Sequence, residues 1–338
     1  MATIGNSVLT LADWAKRLDP DGKTAATVEI LSQTNEILSD MLYKEGNLPT
    51  GEQTTIRTGL PAVVYRLMNQ GVPKSKSTTA QITENTAQLE GRSEVDKDEA
   101  ELNGNVNAYR MSESEAFMEA MNQKMANTLI NGTASSPEEF VGFLPRYSDL
   151  SAANAQNILD AGGTGSDNSS ILLVGWGQRS IMGIFPKGSK AGLSHEDLGV
   201  IDAFDSSDNR FRAYADRFVW KNGLVVKDWR YAVRVANIDT PALVALTGTQ
   251  AITAATSVIK MMSRAIDRLP SLSNVKTAFY VNRTVASHLR IIGLEKSSSA
   301  VTVQEGLNQF GETIFTTRFL GIPVRIVDAL GTSEARVV

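Results

Sequence analysis

The chain holds little imidazole and no thiol: His195 in "GLSHEDLG" and His288 in "VASHLRI" are its only histidines, and cysteine is absent. A zinc centre needs several Cys or His ligands at short spacing, and a nucleophile needs a base beside it. Neither histidine has such a partner nearby, so no metal site and no catalytic triad is expected, and His288 reads as helix packing. Phosphate chemistry has two candidate stretches. "DGKTA" sets Gly22-Lys23-Thr24 ahead of an expected helix, but a P-loop needs a glycine five residues before the one next to its Lys, and Arg17 stands there. "LLVGWGQRS" places Gly175 and Gly177 after an apolar run, as a dinucleotide turn would; Ser180 replaces the third glycine and bulky Trp176 occupies the turn. It reads as a tight strand-to-helix connection, with a nucleotide-dependent α/β enzyme as the alternative.

The remaining polar clusters are weaker still. "EVDKDEAE" (94–101) lacks the mid-loop glycine and alternating ligands of a calcium loop and reads as a solvated face. Asn131, Asn168 and Asn282 begin glycosylation triplets, which mean nothing without a secretory route. Trp176, Trp220 and Trp229, with Phe218 and Tyr231, fall at core-like strand positions, where base stacking is the lesser reading. No catalytic residue and no cofactor is therefore expected.

Composition narrows the class. The chain has 338 residues, 42% hydrophobic and 21% charged, with a formal net charge of −4. That balance suits a globular protein of two domains or one elaborated core, and it lacks the clustered basic surface of a nucleic-acid reader. No window approaches the ~20 apolar residues of a membrane span, and the start carries acids within its apolar part, so a cytosolic product without a secretion signal is expected.

Several elements are legible. Thr10 caps a short helix to Leu18, and a second helix follows from Thr24 to Lys44, with Val28, Leu31, Leu38, Met41 and Leu42 on one face and Gly46 as its C-cap. From Thr54 to Tyr109, "AVVYRLMN" leads out as a strand and "GNVNAY" leads back. Between them "STTAQITENTAQLEGRSEVD" (77–96) has Ile82, Leu89 and Val95 as its only large apolar residues. A structureless loop of that length is unusual, so a long hairpin is expected. Arms of about 15 residues at ~3.3 Å each reach roughly 50 Å, well beyond a radius of gyration of about 20 Å. Such a ribbon is marginal by itself, and lying across another copy of the chain would supply its missing burial.

Downstream, "SESEAFMEAMNQKMANTLING" reads as a long helix opened by a Ser112/Glu115 capping box, ended at Gly132, and buried through Phe117, Met121, Met125 or Lys124, Thr128 and Leu129. A polar connection, Ser151 to Ser170, precedes mixed α and β. "ILLVGW" is a buried strand, and the run from Phe211 to Ile238 is a strand pair turning at Asn222-Gly223. A helix opens near Asp239-Thr240-Pro241 and becomes convincing from Gln250 to Leu269. The strand "KTAFYVN", the helix "RTVASHLRIIGLE", and two extended runs broken at Gly321 close the chain, with Pro323 at an edge or after a bend.

Together these elements, and above all "GIFPKGSKAGLSHEDLG", "KTAFYVNRTVASHLRIIGLEK" and "RFLGIPVRIVDAL", resemble the major capsid proteins of tailed bacteriophages. The resemblance spans nearly the whole chain and rests on soft patterns. It implies the α+β tailed-phage and herpesvirus capsid fold. The N-terminal arm would be residues 1–47, the extended loop 48–110, a peripheral domain with its spine helix 111–169 and 308–338, and the axial domain 170–307. It also implies a non-enzymatic subunit that forms hexamers and pentamers of an icosahedral head around double-stranded DNA, located in the virion and assembled in the bacterial cytoplasm. Lys74, Lys76, Ile82, Leu89, Arg92 and Val95 of the loop, and Leu31, Leu38 and Leu42 of the arm, would touch neighbouring copies. Some relatives crosslink through a lysine of this loop; the partner Asn and promoting acid are not identifiable here. With no large segment ahead of the arm, a separate scaffold protein is expected, beside a portal, a cement protein, and DNA held without sequence specificity; no membrane is involved. A protein-cargo shell of the same fold is the further alternative.

Overall fold

The computed structural model describes residues 33–102, 105–204, 208–245, 249–294, 301–307 and 313–338. In chain order the strands are β1 (Tyr43–Glu45), β2 (Gly51–Gly59), β3 (Thr78–Asn85), β4 (Ala87–Asp96), β5 (Ile158–Asp160), β6 (Asn168–Trp176), β7 (Ile181–Phe185), β8 (Leu193–Phe204), β9 (Arg210–Val226), β10 (Ala232–Asp239), β11 (Lys276–Val281), β12 (Val301–Leu307), β13 (Thr313–Phe319) and β14 (Ile322–Ile326). The long helices are α1 (Val106–Asn131), α2 (Thr249–Arg268) and α3 (Arg283–Leu294). Among the described residues, 12 strands share one branched sheet, and β2 with β3 forms a separate two-stranded ribbon.

β6 is the centre of the sheet. It lies antiparallel to both β10 and β11, and all of its residues are buried. A strand covered on both faces has no polar side to present, so "SILLVGW" runs apolar without alternation. Its two faces serve different cores. Leu172, Val174 and Trp176 pack with Met125, Leu129 and Ile130 of α1 and with Phe143 and Tyr147. Ile171 and Leu173 pack with Val258, Met262 and Ala265 of α2 and Val285, Ala286 and Leu289 of α3. The domain boundary expected between residues 169 and 170 thus falls inside β6, the strand that joins the two cores.

α1 begins at Val106, more than a turn ahead of Ser112. Asn105 caps it by accepting from the Ala108 N–H at 3.2 Å, so "GNVNAY" is a helix start and not a returning strand. Its end falls at Gly132, as the sequence implies. A Cβ there would stand 2.4 Å from the Phe140 carbonyl oxygen, so only glycine permits the following segment to pass so close.

The Asn222-Gly223 turn is not formed. β9 runs straight through it, pairing with β4 on one side and β8 on the other, and with β7 near its end. Gly223 is needed for close approach: a Cβ would lie 2.8 Å from the Asn85 carbonyl oxygen, where the chain crosses from β3 to β4. At the N-terminal side, the described part of the helix expected over Thr24 to Lys44 is a single turn, Ile37–Asp40. The chain then extends into β1, parallel to β7, because strand pairing, with Gly183 N–H donating to the Leu42 carbonyl at 2.8 Å, satisfies the backbone there. Gly46 follows a strand and caps no helix. The helix expected over Thr10 to Leu18 lies outside the described residues.

The C-terminal segment is tied back by buried polar bonds. Arg234 donates to Glu334 at 2.8 Å and to the Tyr147 carbonyl at 2.9 Å, and the Asn237 side chain brackets Val337 by donating to its carbonyl and accepting from its N–H. β13 and β14 are joined through Leu320 and Gly321, both with positive φ (46° and 83°), so Pro323 comes just after a bend.

Candidate assembly surface

The ribbon expected to stand clear of the body is shorter than the sequence suggests. β2 and β3 pair from Gly51 with Asn85 outward to Gly59 with Thr78, and residues 60–77 form a tip without regular structure. The stretch read as the strand "AVVYRLMN" is this tip. It turns where Gln70 N–H donates to the Leu67 carbonyl, with Asn69 at φ 65°. β4, by contrast, folds along its own chain on β9.

The base of the ribbon is held firmly. The Arg146 guanidinium binds the Glu84 carboxylate through two bonds of 2.6 and 2.7 Å, and also donates to the Val141 carbonyl. Lys227 meets Glu52 at 2.6 Å with both side chains largely buried. Asn47 accepts from the Gln53 N–H and donates to its carbonyl.

The tip is apolar and exposed. Leu60, Val63, Tyr65, Leu67 and Met68 are exposed, Met68 at 93% and Tyr65 fully. Between Gln53 and Thr83 the sequence has no acid and four bases: Arg57, Arg66, Lys74 and Lys76. An apolar patch of this kind with a positive rim has the composition that contact surfaces share. The sequence does carry the signal, an apolar run fenced by Pro61 and Pro73, which favour turn and extended backbone over a paired strand.

Of the loop residues expected at a contact, Lys74 and Lys76 are exposed on the tip and Ile82 sits half-buried on β3. The others lie on β4. Arg92 pairs with Glu94 at 2.8 Å, and Leu89 packs against the main core of its own chain. Val95 is 1% exposed, packed with Ala100 and Tyr109; it is a core residue, because α1 closes over β4. In the arm, Leu38 packs on the core, Leu42 is 42% exposed, and Leu31 lies outside the described residues.

The sheet behind β4 is locked to α1 by charge. Arg110 donates to Asp216 at 2.8 and 3.1 Å and to Asp197 at 2.7 Å. The Arg110 hydrogen bond holds the Asp197 carboxyl below its ordinary range, and that to Asp216 raises the guanidinium. His195 Nε2 lies 2.8 Å from Asp216 while its ring stacks on Phe218, so this histidine belongs to a structural ion cluster.

At "LLVGWGQRS" the backbone is already used. Gly177 N–H donates to the Ile181 carbonyl, Ser180 N–H to Gly177, and the Ser180 hydroxyl to the Gly175 carbonyl. Trp176 is buried and its indole N–H donates to the Tyr280 hydroxyl at 2.7 Å. The turn connects strand to strand, β6 to β7, and presents no helix N-terminus to a phosphate. Among the described residues no cluster of His, Asp and Glu could hold a metal ion, and no helix is long and apolar enough to cross a membrane.

The family model for major capsid protein GP7 matches residues 19–338. A chain of the bacteriophage epsilon15 structure, derived from cryo-EM, is 31% identical with a TM-score of 0.75, all of each chain being covered. The bacteriophage JBD30 capsid matches at 10% identity and a TM-score of 0.49, over 96% of this chain and 99% of that one. No curated protein matches.

Proposed function

The chain belongs to the major capsid protein GP7 family, a structural and non-enzymatic component of the phage virion shell with the tailed-phage capsid fold, and from that premise we propose how it works. Its copies join into hexamers and pentamers of an icosahedral head that encloses double-stranded DNA without reading its sequence. The observation that carries this reading is the β2–β3 ribbon: firmly anchored at its base, apolar at its tip, and exposed there among the described residues. Lys74, Lys76 and Ile82 lie on that ribbon and meet an adjacent copy; Arg92, on the outer part of β4, and Leu38 and Leu42 of the arm contribute further contacts. Repeating one such contact around each capsomer turns modest interfaces into a stable shell.

In this reading, residues 1–47 form the arm and 48–110 the loop, with the projecting part confined to 51–85. Residues 111–169 and 308–338 form the peripheral domain with α1 as its spine, and 170–307 the axial domain. Assembly takes place in the bacterial cytoplasm with a separate scaffold protein and a portal, cement proteins adding to the finished surface, and a rearrangement follows during maturation. Electron microscopy of the expressed protein, alone and with its phage's scaffold, tests it: capsomers, shells or tubes are expected. A chain that stays monomeric under all these conditions overturns it.

A further inference from the structure

Behind β4 lies a cavity of about 210 Å³, lined by Leu89, Met125, Phe140, Trp220 and Asn222, with Glu138 and Glu139 beside it. Asn222 is 2% exposed, and neither its amide nitrogen nor its amide oxygen has a hydrogen-bond partner. A buried amide with both ends unpaired is costly, and native structures rarely keep one without a use. The cavity therefore has the chemistry of a receptor for one aromatic side chain that ends in a hydroxyl. The greasy walls take the ring, and the amide both donates to and accepts from the hydroxyl.

We propose that Tyr65 of a second copy enters this cavity, its phenol meeting Asn222 while Arg66 meets Glu138. The idea rests on the assembly reading above and names the receptor for the ribbon tip. Tyr65 is fully exposed and stands in an acid-free, basic segment, while Glu138 is exposed and Glu139 is already held by Lys124; the charges are complementary. The chain's own tip cannot serve. Eight paired residues separate the ribbon base beside the cavity from the tip, and at ~3.3 Å each that is roughly 26 Å. The first described residue lies on the other side of α1: Gln33 N–H donates to Glu119, and helical spacing puts Glu119 opposite Thr128 and Met125.

The absence of cysteine makes a clean test possible. Arg66→Cys and Glu138→Cys in one chain, assembled and oxidised, should give a ladder of disulfide-linked chains on a non-reducing gel, and neither single variant should. Tyr65→Ala should raise the concentration needed for assembly roughly thirtyfold, in the manner of a buried aromatic anchor, and Tyr65→Phe about fivefold. Asn222→Leu should weaken assembly several-fold while leaving the melting temperature of the free subunit unchanged or higher, which a merely structural asparagine would not do. Shells that form normally without the ladder and ignore Tyr65→Ala would overturn this assignment and leave the assembly reading standing. A disulfide from Glu138→Cys to Leu31→Cys in place of Arg66→Cys would give the cavity to the N-terminal segment and overturn it too. Failure to form shells under any condition would remove both readings.

Discussion

β6 and the ribbon tip are both written in apolar residues, "SILLVGW" and "LPAVVYRLMNQGV", yet one is buried on both faces and the other stands in solvent. Apolar content alone does not separate them. β6 has hydrogen-bonding neighbours on both sides and helices over its faces. The tip has a proline as its second residue, lacks a partner strand, and sits at the end of a ribbon clamped at the other end by Arg146 and Glu84. Under the proposed assembly, this apolar surface outside the core is kept for a neighbour.

The sharpest way to break that contrast is to damage each region and ask which property fails. Phe279→Ala, beside β6 and packed edge-on to Phe319 at 5.7 Å, should cost about 3–5 kcal/mol of subunit stability by denaturant titration. Replacing Val63 and Met68 together by serine should change subunit stability by less than about 0.5 kcal/mol. The same pair should raise the concentration needed for assembly at least tenfold, by light scattering. If the tip variant unfolded the subunit, the tip would be part of the fold and the contrast would disappear.

The sequence revealed the buried region better than the projecting one, for physical reasons. A strand covered on both faces must be apolar throughout, so "ILLVGW" and "KTAFYVN" were readable, as was the end of α1 at Gly132. Asn222-Gly223 misled because a residue pair suited to a tight turn also suits a strand that another backbone crosses, and only Gly223's neighbours tell the two apart. Val95 misled because a sparse apolar residue in a polar stretch looks unsupported until a distant strand, β9, pairs with it. The helix start at Asn105 was hidden by a better-looking capping box at Ser112. The apolar tip is in plain view but reads as a strand, since strands and exposed apolar loops draw on the same residue types.

The ribbon's anchorage sharpens the contrast at smaller cost. Arg146→Ala leaves the Glu84 carboxylate in a largely shielded place without its guanidinium, which should lower stability by about 1–3 kcal/mol. A double-mutant cycle with Glu84→Gln should recover a coupling of the same sign. Because the tip itself is untouched, assembly at saturating protein should survive. Loss of shells at full folding would mean that the angle of the ribbon, and not only its tip, selects the neighbour.

The smallest effect is expected at Asp197, where β8 meets α1. Its folded-state pKa is lowered, chiefly by the hydrogen bond from Arg110, so the native state favours the ionised carboxylate. The stabilisation is present above the ordinary carboxylate pKa and is lost as pH falls through the lowered folded value. Asp197 is half exposed, at 53% of its side chain, so the loss should stay below about 1 kcal/mol. Comparing the unfolding free energy of wild type and Asp197→Asn from pH 7 down to pH 2 should show a small deficit in the variant at neutral pH that closes in acid. No deficit at neutral pH would mean that Arg110 is held by Asp216 alone and that the β8 carboxylate carries no part of the lock between sheet and helix.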